Sequence, residues 1–179
     1  MTEKVQSNSQ RPPLVTSSFR DRESAERAYQ SIASRGYKNE DIHVIMSDET
    51  RKRLFGKDSP KSDLGNKALQ GAGVGGAVGG VVGATLMGIV AAAAAVTVPG
   101  IGLVIAGPLA GALAGGATGA AAGGLMGLLV GAGIPEDRAK IYETDLKDGG
   151  IVLGVKPRHD DDVRYFESEW KTEGQHVRR

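Results

Sequence analysis

The sequence predicts an α+β protein: a small βαβ…αβ domain with a three-stranded sheet, interrupted by a long glycine-zipper α-helical hairpin. Three observations predict it. Strand-forming runs lie at Leu14–Phe19, Ile42–Met46 and Ile151–Val155; apolar residues at helical spacing follow Asp21 and Pro135; and glycine recurs at every fourth position through the middle of the chain.

The first 13 residues are polar, rich in Ser, Gln and Asn, and lack the apolar core of a secretory signal peptide, so they are expected to be a disordered leader. Residues 14–47 form the βαβ half. Asp21 is a good N-cap, Ala25, Ala28, Tyr29 and Ile32 make one helical stripe, and Gly36 is placed to end the helix. In the following strand, Ile42, Val44 and Met46 point one way, and His43 and Ile45 the other.

Residues 48–68, with Arg51, Lys52, Arg53, Lys57, Lys61 and Lys67 among Gly and Pro, read as a basic linker. After the glycine-rich tract, residues 134–158 form the αβ half. There Pro135, Glu136 and Asp137 open a helix, Ala139, Tyr142 and Leu146 form its stripe, and Gly149 and Gly150 stop it before the third strand. Residues 159–179 are a tail whose Val163, Phe166 and Trp170 give a short amphipathic helix that covers the sheet. Each half alone would expose an apolar face, so the two must pack together, and the insert must leave and return on one side.

That insert, residues 69–133, holds 20 of the 27 glycines, and no Asp, Glu, Lys, Arg or His occurs from Ala68 to Pro135. Gly71, Gly75, Gly79 and Gly83 form one ladder, and Gly107, Gly111, Gly115, Gly119, Gly123, Gly127 and Gly131 a longer one. Spacing of four puts them on one helical ridge, where missing side chains let another backbone approach. The eight glycines from Gly71 to Gly88 destabilise an isolated helix by about 1 kcal/mol each relative to alanine, so such a helix needs close packing or a hydrocarbon surrounding. Helices are expected at Leu69–Ala95 and Pro108–Gly131, joined by a turn at Pro99, Gly100 and Pro108. Both exceed the roughly 20 residues that span a bilayer core.

The flanking motifs resemble the general stress protein 17M-like family, also called heat-induced stress protein YflT domains, with low-temperature-induced bacterial proteins as relatives. The resemblance covers about Val15 to Val155. It rests on Ser34-Arg-Gly-Tyr37, Asp41-Ile-His-Val-Ile45, Val98-Pro-Gly-Ile-Gly102, Gly107-Pro-Leu-Ala-Gly111, and Gly133-Ile-Pro-Glu-Asp137 leading to Gly149-Gly-Ile-Val-Leu153. It implies a bacterial general stress protein without an assigned catalytic activity, associated with membranes through its hairpin, and it supplies no active site. The basic linker before Leu69 and the tail after Arg158 depart from the family pattern.

No enzyme motif survives inspection. Gly71-Ala-Gly-Val-Gly-Gly76 matches a dinucleotide fingerprint, yet no strand precedes it and no acid follows before Glu136. There is no P-loop triplet. His43, His159 and His176 lack metal-ligand spacing, and His159 with Asp160, Asp161 and Asp162 reads as a solvated helix cap. Without cysteine there is no disulfide or thiolate site, and a formal net charge of +1 gives no basic face for nucleic acid. The expectation is therefore a non-catalytic protein with no cofactor, no metal and no small-molecule substrate. Its expected partners are membrane lipid and further copies of itself, at the inner membrane with both termini cytoplasmic. The alternative is a cytoplasmic oligomeric scaffold whose hairpins form a closed hydrophobic core or tube.

Overall fold

Apolar side chains alternate along the strands and are buried on both sides, so the sheet carries helices on each face. The computed structural model describes residues 14–55, 86, 96–98, 102–107, 110, 118–131 and 134–174. Its strands are β1 (Val15–Phe19), β2 (Ile42–Ser47), β3 (Val96–Val98), β4 (Leu103–Ala106) and β5 (Ile151–Val155), in the spatial order β1-β5-β2-β4-β3. Every neighbouring pair is antiparallel. Strand β5 pairs Val155 with both Val15 and Ile42, and so joins the two halves of the chain as the exposed-face argument requires.

On one face, Ile42, Val44 and Met46 of β2 and Ile151, Leu153 and Val155 of β5 meet two helices, α1 (Arg22–Ser34) and α5 (Asp160–Glu173). The contacts come from Ala25, Ala28, Tyr29 and Ile32 of α1 and from Val163, Phe166 and Trp170 of α5. Trp170 stands edge-on to Phe19 at 6.0 Å, and its indole N–H donates to Ser31 Oγ at 3.1 Å, so the ring is buried without an orphan donor. The helix stops agree with the sequence. Asp21 accepts from Ser24 N at 2.8 Å, Gly36 takes φ +74 after α1, and the tail helix covers the sheet through its expected stripe.

The other face carries Ile45, Leu103, Ile105 and Val152. It is covered by α3 (Thr118–Gly131), through Leu125, Leu128 and Leu129, and by α4 (Glu136–Lys147), through Ala139, Tyr142 and Leu146. Pro135 is the N-cap of α4, and Gly149 at φ +88 follows its end.

Two expectations are corrected. The linker begins as a helix, α2 (Asp48–Phe55), capped by Ser47 Oγ accepting from Thr50 N at 2.9 Å and anchored by Phe55 in the first core. The sheet has five strands, because Val96–Val98 and Leu103–Ala106 form β3 and β4 where a helix-to-helix turn was expected. Pro99-Gly100 is as good a turn signal for two β-branched runs as for two helices. Apart from Leu86, which packs in the first core, the expected Leu69–Ala95 helix lies outside the described residues, while Leu125, Leu128 and Leu129 of the expected second helix pack in the second core. Among the described residues, no helix is long and apolar enough to cross a membrane.

The ladder glycines also differ in kind. Gly107 lies just after β4 at φ +93, and a Cβ there would come within 2.0 Å of the Ile42 carbonyl oxygen, whereas a Cβ at Gly123 would meet nothing within 4 Å. Gly107→Ala should therefore destabilise the fold by about 2–4 kcal/mol through left-handed strain and overpacking. Gly123→Ala should be neutral or stabilise it by up to about 1 kcal/mol. Urea unfolding of the two variants checks the contrast, and equal effects would show that both glycines are used alike.

Candidate interaction face

Helix α3 contains no charged residue, and its two sides are unlike. Leu125, Leu128 and Leu129 are buried against the sheet and α4, whereas Gly123, Gly124, Val130 and Gly131 are exposed. A Cβ at Gly123, Gly124 or Gly131 would meet no atom within 4 Å. Gly124 adopts φ 58, ψ −145 and breaks the helix into two pieces, which only glycine permits without strain. The large exposed hydrophobics among the described residues, Val130 at 42% and Ile141 at 38%, both lie on the α3–α4 layer.

The expected zipper residues that are described do not all lie on one continuous helix. Gly119, Gly123, Gly127 and Gly131 lie in α3, with Gly127 half-buried and the kink separating Gly123 from Gly127. Gly107 lies outside any helix, against the β2 backbone. Gly71, Gly75, Gly79, Gly83, Gly111 and Gly115, the turn residues Pro99, Gly100 and Pro108, and the Gly71–Gly76 fingerprint fall outside the described residues. The helix expected over Pro108–Gly131 is described only from Thr118, and its ridge is interrupted at Gly124.

Two polar clusters lie beyond this face, one on each side of the sheet. The acidic tail cluster is not simply solvated: Asp162 is buried at 8% exposure and accepts from Arg35 Nη1 and from Tyr37 Oη, each at 2.6 Å. Tyr37 Oη in turn accepts from Arg158 N at 2.9 Å, the Arg158 guanidinium lies 4.2 Å over the Tyr37 ring, and Arg158 reaches Asp41 at 3.3 Å. Desolvation pushes the Asp162 carboxyl up, but hydrogen bonds from Tyr37 and Arg35 and the Arg35 charge outweigh it and leave the group below its ordinary range. Burial and the Asp162 bond push the Tyr37 phenol up to about 12, so it remains a donor. The sequence motif Ser34-Arg-Gly-Tyr37 contained two members of this network, but nothing local named their partner at a separation of 125 residues or more.

On the second face, the sheet row Thr16–Gly154–His43 is polar. Thr16 Oγ1 and Tyr142 Oη lie 2.9 Å apart, and Arg138 Nη1 donates to Thr16 Oγ1 at 3.5 Å. His43 is buried, and desolvation, with the Lys156 charge acting in the same sense against a smaller pull from Asp41, lowers its imidazole to about 4. A cavity of about 270 Å³ opens beside Ser18, Phe19, Arg20, Asp145, Asp148 and Gly150, where Ser18 Oγ donates to Asp145 Oδ2 at 2.5 Å. Among the described residues no group of three or more His, Asp or Glu side chains is placed to hold a metal ion.

No family model matches the chain, and neither curated proteins nor solved structures give a match. The candidate face therefore rests on the geometry of this chain.

The Asp162 network has a thermodynamic signature. Asp162→Asn weakens two charge-assisted bonds in a buried site, with an expected loss of about 1–3 kcal/mol at neutral pH. Because the folded carboxyl lies below the ordinary 3.8, the wild type keeps this contribution above that pH and loses it as pH falls through the folded value. Denaturation midpoints between pH 7 and 2.5 should show the gap between wild type and variant closing only below about pH 4, and a constant gap would remove the ionic account.

Proposed function

We propose that the chain is a non-catalytic protein that associates with further copies of itself through the outward, glycine-lined side of α3. The observation that carries this reading is the division of that helix: its leucines are spent on the chain's own core, and Gly123, Gly124 and Gly131 are exposed with open space above them. An uncharged helical surface without side chains admits a second backbone at close range, which is the packing expected of glycine at four-residue intervals. A general stress role in bacteria rests on the sequence motifs that resemble that family and on nothing further.

Attachment to the inner membrane, with both termini cytoplasmic, is the second reading, favoured by the charge-free run from Ala68 to Pro135. Two observations weigh against crossing. Phe55 packs in the first core and β3 pairs through β4 with β2, so the segment between them begins and ends on one domain, and a single span would separate its ends. Between the two expected spans, Leu69–Ala95 and Pro108–Gly131, strands β3 and β4 pair into the sheet, so the chain returns to the domain where a two-span hairpin would turn on the far side of the bilayer. Surface attachment fits the same topology without a crossing.

Leucine at Gly123 and Gly131 tests the reading without disturbing the monomer, because neither position has a neighbour to displace. The double variant should keep or modestly raise the wild-type melting temperature while its self-association constant weakens by roughly tenfold or more, equivalent to about 1.4 kcal/mol. Sedimentation equilibrium measures it. Unchanged association removes α3 as the contact, and retention of the wild type in an alkaline-carbonate-washed membrane pellet favours the membrane reading instead.

A further inference from the structure

Helix α4 ends in acid. Asp145 lies in its last turn and Asp148 is its C-cap, at the end of a helix where the backbone carbonyls already leave negative charge unbalanced. Lys147, the basic residue of that turn, is drawn back to Glu143 at 2.8 Å, and Arg53 of α2 donates to Gly149 O beyond the helix at 3.2 Å. Neither lines the cavity of about 270 Å³ that opens beside the two acids. Ser18, Phe19 and Arg20, from the end of β1, wall it on one side, and Asp145, Asp148 and Gly150 on the other. A Cβ at Gly150 would come within 2.8 Å of Asp145 O and 3.3 Å of Phe19 O, so the two sides meet over bare backbone.

The charges on this wall are of opposite sign and do not neutralise one another. Ser18, 1% exposed, donates to Asp145 Oδ2 and fixes that carboxylate against β1. Asp145 Oδ1, the exposed Asp148 carboxylate and the exposed Arg20 guanidinium make no hydrogen bond or ion pair with any of the described residues. One cation from β1 and two anions from α4 thus stand apart across a single space. Its volume lies just below the roughly 300–1,000 Å³ of sites that hold drug-sized ligands, so the occupant is smaller than those.

We propose that this cavity binds a free basic amino acid, with the ligand carboxylate on Arg20 and its two cationic groups on Asp145 Oδ1 and Asp148. Charge balance selects the class. A guanidinium presents a planar fork that matches one carboxylate, and two carboxylates at the negative end of a helix favour two cations. A diamine would leave Arg20 without a counter-charge, and an acidic ligand would meet two like charges. Among the described residues none from α3 lines the cavity, so binding here does not depend on self-association.

Titration of the full chain with L-lysine, followed by amide NMR shifts and by calorimetry, tests this. Saturable shifts are expected at residues 18–20 and 145–150, with a dissociation constant below about 1 mM. Cadaverine, which lacks the carboxylate, and aminocaproate, which lacks the α-amine, should each bind at least about tenfold more weakly, because each leaves a charged group of the site unpaired. Arg20→Gln and Asp148→Asn, both at exposed positions, should each weaken L-lysine by about tenfold or more while the thermal unfolding midpoint holds or rises. Absence of saturable shifts up to about 10 mM L-lysine overturns the proposal. So does cadaverine or calcium binding as tightly as L-lysine, which would make this a plain cation site, or an L-lysine affinity that either variant leaves unchanged.

Discussion

The fold depends on one insertion: β5 enters between β1 and β2 and pairs with both. Residues 151–155 come from the far end of the chain, so their pairing closes every excursion made in between. Without β5 the edge strand β1 has no described partner in the sheet, and both faces lose their central row, Ile151, Leu153 and Val155 on one and Val152 on the other. Burial of these side chains removes from water the apolar surface that each half of the chain would otherwise expose. The loop-closure entropy of so long a connection grows only slowly with its length, which is why a large glycine-rich insert is compatible with a small sheet.

The two covering layers solve the same burial problem with different chemistry. The α1–α5 layer is aromatic and ionic: Phe19, Phe166 and Trp170 pack edge to ring, and Arg35, Tyr37, Arg158 and Asp162 tie the end of α1 to the start of α5. The α3–α4 layer is aliphatic at α3, while α4 is tied to β1 by Tyr142 and Arg138 on Thr16 and by Asp145 on Ser18. Directional bonds fix the first layer and α4, whereas α3 relies on non-directional apolar contact, which glycine-rich backbone makes with less area per residue. Local opening is drawn from the layer with fewer such ties.

Much of the frame was legible in the sequence because it is local. Alternation assigned the opposite sides of Ile42, Val44 and Met46 against His43 and Ile45; Asp21 and Gly36 bounded α1; and the spacing of Val163, Phe166 and Trp170 gave α5 its buried stripe. What was not legible depends on partners far away in the chain. Val96–Val98 and Leu103–Ala106 are too short to carry a period; Leu103–Ala106 is held by β2, about 60 residues earlier, and Val96–Val98 by Leu103–Ala106 in turn. Asp162 looked like one of three equivalent cap acids, and only Arg35 and Tyr37 single it out. The face of α3 was half legible: the spacing of glycine was plain, but which side of the helix the leucines would claim depends on the sheet.

The glycine ladder shows why one periodic signal need not have one cause. At Gly107 the absent side chain admits the Ile42 carbonyl within the chain itself, and the positive φ turns the backbone away from β4. At Gly123 and Gly131 a Cβ would meet no atom of the described residues within 4 Å. Gly124, outside the ladder, supplies the kink that divides it. Fold stability alone therefore explains Gly107 and Gly124, whereas Gly123 and Gly131, each at the end of a helical piece, meet no atom within 4 Å that requires glycine. A contact made only when another surface arrives resolves that difference, and it would act on the open glycines while leaving the closed one indifferent to whether the chain is alone or assembled.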